Sequence, residues 1–142
     1  MKKVLMSAMA ITVITISACA QKLDASKVPA AVKASFAKQY PGATAKWEKE
    51  DGKFEAGFDH NGHEMSALFE ANGTMTESEM GIKVSELPAA VTQYINTHHK
   101  GETIKEAAKI TKANGEVNYE AEVKGKDLIF DASGKFLKEV KD

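Results

Sequence analysis

The sequence predicts an α+β fold of two tandem repeats, each with one helix packed on a four-stranded antiparallel meander sheet. Three observations support this prediction: an internal repeat, a four-residue apolar spacing at the start of each copy, and an apolar–polar alternation after it. The chain has 142 residues, of which 43% are apolar, and this is enough for one compact domain or two small repeats.

The repeat is visible as matching segments that keep their order along the chain. The matches are residues 28–32 (VPAAV) with 87–91 (LPAAV), 54–56 (FEA) with 119–121 (YEA), and 69–73 (FEANG) with 130–134 (FDASG). The offset changes from 59 to 65 and then to 61, as short insertions in hairpins produce. We therefore expect a first repeat at residues 26–83 and a second at residues 84–142.

Residues 1–18 have the features of a signal peptide of the lipoprotein type. Lys2 and Lys3 form a basic start, and residues 4–18 contain no charge. This run is shorter than the roughly 20 apolar residues that span a bilayer, so it predicts an export signal and not a permanent transmembrane helix. Residues 19–25 are expected to be a tether before the first repeat.

The signal is compatible with two cleavage sites. Residues 16–19 (ISAC) resemble a bacterial lipobox, in which Cys19 is lipidated and becomes the mature N-terminus. Alternatively, ordinary signal peptidase would cleave after Ala20 and release a soluble periplasmic protein. We favour lipidation, because a single thiol in an oxidising compartment otherwise has no evident purpose. Acyl chains alone would then hold the protein to a membrane of the bacterial envelope.

Each repeat begins with a short helix. Pro29 and Pro88 suit the first helical position, and Pro41-Gly42 and Gly101 supply the stop signals. Apolar residues recur every four positions, which is the spacing of one helix face. The residues expected on that face are Val28, Val32, Phe36 and Tyr40 in the first helix and Leu87, Val91, Ile95 and His99 in the second.

Turn-forming pairs separate the strands that follow each helix. They tolerate the positive φ of tight hairpin turns, and they are Asp51-Gly52, Asn61-Gly62, Asn72-Gly73, Asn114-Gly115, Lys124-Gly125 and Ser133-Gly134. Between them, apolar residues alternate with polar ones, so one face of each sheet is expected to pack on its helix. The two cores are expected to include Trp47, Phe54, Met65, Phe69, Tyr119, Leu128, Phe130 and Phe136.

The polar residues of the strands are expected on the opposite face of the sheet, in contact with water. Such a face lacks the Trp, Tyr and Arg anchors that dominate the binding energy of many interfaces. The expected outer residues are Lys46, Glu48, Glu55, Asp59, Glu64, Ser66, Thr76, Ser78, Glu120, Glu122 and Lys124.

Charge and composition exclude nucleic-acid binding. The 19 basic residues are all Lys and 20 residues are acidic, which gives a formal net charge of −1. Without Arg and without a basic field, the chain lacks the groups that recognise phosphates and guanine edges. Loss of residues 1–18 removes two Lys and no acid, so the remaining chain has a net charge of about −3.

No catalytic arrangement is expected, and no cofactor. Cys19 precedes the folded region, and no Gly-x-Ser-x-Gly motif is present. Ser35 and Lys38 match Ser-x-x-Lys, but their spacing is that of an amphipathic helix. His98 and His99 close the second helix, where the helix dipole favours a cation.

His60 and His63 flank the second turn of the first repeat and are the basis of an alternative hypothesis. With Asp59 and Glu64 beside them, they could bind a divalent metal, because imidazole and carboxylate are ordinary zinc and copper ligands. Polar residues at an exposed hairpin tip are the simpler interpretation, since side chains around a tight turn diverge. A small-ligand or metal-binding protein is therefore the alternative.

The repeated [Val/Leu]-Pro-Ala-Ala-Val and Phe-[Glu/Asp]-Ala-x-Gly segments resemble those of the PepSY-like periplasmic proteins of Bacteroidetes. The tandem helix-and-sheet repeats of that family are similar to the architecture of the β-lactamase-inhibitor protein, and the resemblance covers residues 26–142. It implies a non-enzymatic envelope protein that binds, and in some cases inhibits, another envelope protein. No contact residues are carried over, because the matching motifs are structural.

Overall fold

The computed structural model describes residues 21–141, which form one nine-stranded antiparallel sheet with two helices on one face. The predicted signal peptide and Cys19 lie outside the described residues. Sheet order follows chain order from β1 to β9, so each strand pairs with the next one along the chain. Within the described part of the chain, no helix is both long and apolar enough to cross a membrane.

The two halves of the chain have the same order of elements. The first contains β1 (Gln21–Leu23), α1 (Ala30–Gln39), β2 (Lys46–Glu50), β3 (Lys53–His60), β4 (His63–Phe69) and β5 (Met75–Ile82). The second contains α2 (Ala89–His98), β6 (Ile104–Lys112), β7 (Val117–Val123), β8 (Lys126–Asp131) and β9 (Phe136–Lys141). In both, one helix is followed by four strands. The predicted fold class is confirmed.

Strand β1 is an addition to the predicted pattern. Its residues fall within the segment that the sequence analysis assigns to the tether, and they pair with β2 through Leu23 and Trp47. The end of β5 pairs with β6 in the same way, through Ile82 and Ala107. Strand β1 therefore pairs with the first strand after α1, as β5 pairs with the first strand after α2. Strand β5 is thus the last strand of the first half and also the strand to which the second half is joined.

Each helix covers its own hydrophobic core on the same face of the sheet. In the first core, Val32 and Phe36 of α1 pack with Trp47, Phe58 and Phe69, and the Phe36 ring meets those three rings edge-on at centroid distances of 4.9 to 6.5 Å. The second core is built from Leu87, Val91, Ile95, Ala121, Val123, Leu128 and Phe130. Burial of such side chains stabilises by about 1.5–3 kcal/mol each.

The helix ends agree closely with the sequence signals. Pro29 and Pro88 are predicted at the first helical position, and the structure places them one residue earlier, at the N-cap, with the helices beginning at Ala30 and Ala89. Tyr40 and His99 are the equivalent C-cap residues, and their backbone N–H groups donate to the carbonyls of Phe36 and Ile95 at 2.9 and 2.8 Å. Both aromatic side chains are partly buried at the ends of their helices.

A β-bulge occurs at the same place in both halves. The pairing register shifts between Leu68 and Phe69 of β4, and again between Ile129 and Phe130 of β8. A bulge adds one residue to one strand, so every later residue of that strand changes face relative to simple alternation. The bulge therefore determines which residues of β5 and β9 face the helices.

The bulge explains one wrong assignment. Ser78 pairs with Ala67, which lies in the first core, so Ser78 is on the helix side and not on the expected outer side. Glu77 and Glu79 pair with Leu68 and Ser66 and lie on the outer side instead. Thr76 lies at the bulge itself.

Two glycines permit close contact between each helix and a hairpin. Gly73 and Gly134 have φ of +89° and +87°, which residues with a side chain rarely adopt. A Cβ at Gly73 would lie 2.6 Å from the carbonyl oxygen of Ala31, and one at Gly134 would lie 2.7 Å from the Cβ of Ala90. These positions therefore need glycine for both conformation and space.

We expect Gly73→Ala to lower the free energy of unfolding by about 2–5 kcal/mol, because it combines the cost of a positive φ with overpacking against α1. Gly52→Ala is the matched control: φ is +78° there, but nothing lies within 4 Å of the added methyl group. Its cost should be about 1–2 kcal/mol. Urea unfolding measures both, and equal losses would contradict the close helix–hairpin contact.

Candidate functional site

Besides carboxylates nearer its edges, such as Glu48 and Asp59, the sheet face opposite the helices carries eight at its centre, most of them buried. We call this surface the acidic face; it comprises Glu55, Glu64, Glu77, Glu79, Glu106, Glu120, Glu122 and Asp127. Glu55, Glu120 and Glu122 are each 4% exposed, Glu79 is 6% exposed and Asp127 is fully buried. The expectation that the outer acids are solvated is therefore wrong for these residues.

The burial has a geometric cause. Both helices pack on the other face, so the side chains of neighbouring strands must cover the acidic face themselves. Ile110 and Ile129 lie on this face too, opposite Glu79 and Glu120 in the register, and each is only 2% exposed. Side chains on adjacent strands therefore desolvate the residues at the centre of this face.

Desolvation changes the ionisation of the central carboxyl groups. Burial, together with the nearby carboxylates of Glu77 and Glu55, raises the pKa of Glu79 to about 8. Burial likewise raises the pKa of Glu55 to about 7, with added repulsion from Glu48 and Glu50. These two groups therefore hold protons near neutral pH, unlike ordinary carboxylates.

Lysines reach only the rim of the acidic face. Burial raises the pKa of Glu77, while Lys112, Lys138 and Lys53 partly oppose the rise. Lys105 Nζ lies 3.3 Å from Glu122 Oε1, but 69% of the lysine side chain is exposed. The raised pKa of Glu79 therefore reflects desolvation and other carboxylates, with no lysine among residues 21–141 close enough to oppose them.

Several buried oxygens of the acidic face have no hydrogen-bond partner. They are Oε2 of Glu55, Oε2 of Glu79, Oε2 of Glu122 and Oδ1 of Asn118. Each such group costs about 1–3 kcal/mol, and more if it is charged. Groups that lower stability and have strongly shifted pKa values are typical of functional sites. The acidic face is therefore the candidate functional site of the protein.

Cavity geometry singles out the centre of this face. A cavity of about 40 Å³ lies between β4, β5, β6 and β7. Its polar lining consists of Glu64, Ser66, Glu79, Glu106 and Glu120, and Gly81 and Ala108 are among its small residues. Because β5 and β6 come from different halves of the chain, the cavity lies at their junction.

The predicted site at His60 and His63 lies elsewhere. The two residues pair across the β3–β4 hairpin, on the helix side of the sheet. The His60 ring meets the Tyr40 ring at 5.4 Å, and His63 Nδ1 lies 3.1 Å from the carbonyl oxygen of Gly81. Across residues 21–141, no group of three or more His, Cys, Asp or Glu side chains is placed to hold a metal ion. Metal binding by these histidines stays a prediction.

The other histidines have contacts that fit a structural role. The His98 ring stacks on Tyr94 at 4.1 Å. His99 Nδ1 lies 3.0 Å from Glu102 Oε2, and the other oxygen of Glu102 accepts from Lys124 Nζ at 2.8 Å. These contacts connect the end of α2 to the β7–β8 hairpin. All four histidines therefore lie away from the acidic face.

Sequence reasoning missed half of the acidic face. Alternation places Glu55, Glu64, Glu120 and Glu122 on the correct side but does not assign Glu77, Glu79, Glu106 and Asp127 to it. Glu77 and Glu79 follow the bulge in β5, so simple alternation does not place them on this side. A usable signal was present, since acidic residues occupy central strands of both repeats with few lysines between them.

The protonated carboxyl groups predict an unusual dependence of stability on pH. Glu79 and Glu55 hold protons in the folded state up to pH values of about 8 and about 7, but lose them near 4.5 when unfolded. The folded state thus binds more protons between pH 4.5 and 8, so stability falls as pH rises through this window. We expect a lower midpoint of urea unfolding at pH 8.5 than at pH 5.5.

The variant Glu79→Gln should reduce this dependence. It should raise the free energy of unfolding by about 1–3 kcal/mol at pH 8.5 and change it little at pH 5.5, because the buried charge forms only at the higher pH. Glu70→Gln is the control, since Glu70 is half-exposed in an ion pair with Lys53 and its loss should cost less than about 1 kcal/mol. Equal effects of Glu79→Gln at both pH values would contradict this interpretation.

Comparisons with known proteins identify the family. A family model described as "Putative beta-lactamase-inhibitor-like, PepSY-like" matches residues 14–77 and residues 52–138. Together these matches span most of the chain. No protein with curated annotation is significantly similar to it.

Solved structures from Bacteroides share the fold. A "putative periplasmic" protein from Bacteroides eggerthii has a TM-score of 0.72 at 17% identity over 79% of this chain and 87% of its own. A DUF2874 family protein from Bacteroides uniformis gives 0.71 at 19% identity, covering 78% and 87%. A BLIP-like protein from Bacteroides fragilis gives 0.61 at 28% identity, covering 78% and 84%. The chain therefore belongs to the PepSY-like family and has its β-lactamase-inhibitor-like fold of two repeats.

Proposed function

We propose that this protein is an exported, non-catalytic module of the bacterial envelope that binds another protein through its acidic face. The observation that carries the proposal is the set of buried carboxylates with unpartnered oxygens on a sheet face that neither helix covers. The fold does not need these charges, because both hydrophobic cores lie on the other side. Hydrogen-bond donors of a binding partner would pair with the unpartnered carboxylate oxygens.

The chemistry of the face indicates the chemistry of the partner. Eight carboxylates lie close together, and the lysines near them are at the rim. A partner with a basic surface would complement this charge and would be attracted at long range. The acidic face has no aromatic anchor of its own at its centre, so the anchoring side chains would come from the partner.

Two features favour binding over catalysis. The cavity of about 40 Å³ is far smaller than the roughly 300–1,000 Å³ of typical small-molecule sites. No histidine lies on the acidic face to act as base or acid beside the carboxylates. The acidic face is therefore better suited to bind side chains of a protein partner than to bind a small-molecule substrate.

Membership of a family described as beta-lactamase-inhibitor-like supports the same proposal. The similar Bacteroides eggerthii protein is described as "putative periplasmic", which supports the export predicted from residues 1–18 of this chain. Where the partner is an envelope enzyme, a protein seated over its active site would inhibit it. Inhibition is therefore one form of the proposed binding.

Site-specific crosslinking in intact cells tests which face binds. Benzoylphenylalanine placed at Asp59 or Lys138, on the rim of the acidic face, should crosslink to a partner. The same probe at Lys33 or Gln93, on the exposed sides of the two helices, should not. Adducts formed only from the helix positions would contradict the proposal.

Charge neutralisation provides the second part of this test. The double variant Glu55→Gln/Glu79→Gln should reduce the adduct at the rim positions by roughly tenfold, because glutamine cannot release a proton to form the negative charge that a basic partner favours. It should remain folded, as removal of buried unpaired charge does not destabilise. Glu70→Gln is the matched control and should leave the adduct unchanged. An adduct that survives the double variant would contradict a role for the buried carboxylates.

The proposed lipid anchor at Cys19 has a test of its own. Cells that express the full chain should incorporate labelled palmitate into it, and Cys19→Ser should abolish the label. The variant should also move from the membrane fraction to the soluble periplasmic fraction, since acyl chains are the proposed attachment. Equal labelling of both forms would instead favour cleavage after Ala20.

A further inference from the structure

The cavity at the centre of the acidic face is formed by a gap in the side chains. Gly81 of β5 pairs with Ala108 of β6, and Ala108 pairs with Glu120 of β7. On its other side, Gly81 lies beside Glu64 of β4, which is within 4 Å of where a glycine Cβ would be. Two small residues thus separate two carboxylates, and no described side chain fills the space between them.

We infer that this cavity binds the cationic head group of one lysine or arginine side chain of the protein partner. The inference rests on the proposed function and specifies which side chain anchors the partner. The four surrounding carboxylates are Glu64 and Glu79 from the first half of the chain and Glu106 and Glu120 from the second.

Glu79 supplies the observation that points to a ligand. It lines the cavity, its side chain is buried with 6% exposure, and its Oε2 atom has no hydrogen-bond partner. A buried carboxylate oxygen needs a donor, and charged N–H donors form the strongest hydrogen bonds to it. A cationic head group in the cavity would provide both the donor and the opposite charge.

The size of the cavity agrees with such a head group. About 40 Å³ is roughly three times the 10–15 Å³ that holds one water molecule. An ammonium or guanidinium group is of that order, whereas a complete small-molecule substrate is much larger. The cavity therefore has room for one side-chain terminus.

The placement of the carboxylates favours an organic cation over a metal ion. In the part of the chain that the structure describes, no three acidic or histidine groups converge closely enough to coordinate one ion. An ammonium carries three N–H donors and a guanidinium five, and they point outward in different directions. Carboxylates spread around a cavity can each receive one of these donors.

The ionisation of Glu79 makes the binding dependent on pH. The groups that raise its pKa to about 8 besides desolvation are Glu77, Glu55, Asp127 and Glu106, and Glu64 and Glu120 also face the cavity. A bound cation would favour the charged form and release a proton. Affinity for a cation should therefore rise by about tenfold or more between pH 6 and pH 9.

The experiment uses small probes of the side chain and needs no partner. Residues 21–142 labelled with ¹⁵N would be titrated with N-acetyl-arginine methylamide and N-acetyl-lysine methylamide. Their uncharged analogues, made from citrulline and norleucine, are the ligand controls. The basic probes should shift the amide signals of Gly81, Ala108 and Ser66, and the neutral ones should not.

Two variants test the location. Gly81→Val fills the cavity without a change of charge and should weaken binding of the basic probes by at least about tenfold. Ala108→Leu does the same from the neighbouring strand, so the test does not depend on one variant. Ser78→Val is the control, because it adds the same side chain as the first variant on the opposite face of β5. Matching amide spectra outside the cavity verify that each variant is folded.

Three results would overturn the inference: equal binding of the neutral analogues, binding that survives both cavity-filling variants, or no shift with any probe at pH 9. A titration with calcium or zinc chloride that shifts the same signals, while the basic probes do not, would overturn it in favour of a metal site. Because no partner is present, these outcomes are independent of the crosslinking result. Loss of cavity binding with crosslinking intact would refute this inference alone.

Discussion

The pairing of β5 with β6 is the interaction on which the rest of the structure depends. Each half of the chain is a unit of about 60 residues, a size at which a single domain is marginally stable. Six residue pairs, from Glu77 with Lys112 to Ile82 with Ala107, join the two units into one sheet. A slip of one residue would move every side chain of β6 to the wrong face. The pairing therefore determines both the continuity of the sheet and the composition of its two faces.

The two faces of the sheet have opposite effects on stability. On the helix side, Phe69, Phe130, Val32 and Val91 are completely buried in apolar surroundings and stabilise the fold. On the other side, burial of carboxylates without full hydrogen bonding destabilises it, because ionised groups lose their hydration. A protein selected for stability alone would place apolar or exposed residues at these positions. The acidic face is thus not explained by folding, and this is why it carries the proposed binding role.

Sequence reasoning recovers the parts of this structure that depend on local chemistry. The repeat, the proline before each helix and the glycine turns such as Asn61-Gly62 all have local signatures, and they led to the correct fold class. Alternation also assigns Glu55 and Glu120 to the correct side of the sheet. Alternation assigns Ser78 to the wrong side, because the bulge inserts one residue into β5 and interrupts the two-residue period. The burial of Glu55 does not follow from alternation, which gives the side of a sheet, whereas exposure depends on which neighbouring side chains cover the residue.

A comparison of equivalent positions in the two repeats separates the residues that fold the protein from those that form the cavity. The helix and hairpin positions match, with Val32 equivalent to Val91 and Gly73 to Gly134. The cavity positions do not match. Because Leu23 pairs with Trp47 as Ile82 pairs with Ala107, the equivalent of Ala108 is Glu48, a large acidic residue.

Glu79 shows the same divergence. Glu79 pairs with Ser66, and the 61-residue offset makes Ser66 equivalent to Asp127. Asp127 pairs with Val140, so Val140 is the equivalent of Glu79. The second repeat therefore has an apolar residue where the first has a buried acid. At the equivalent positions the other repeat has neither the small residues nor the buried acid, so the repeat fold does not require them. The cavity therefore lies at the junction, where β4 and β5 of one repeat meet β6 and β7 of the other. A single repeat would supply two of its carboxylates, and duplication followed by divergence at the junction brings four together around one space.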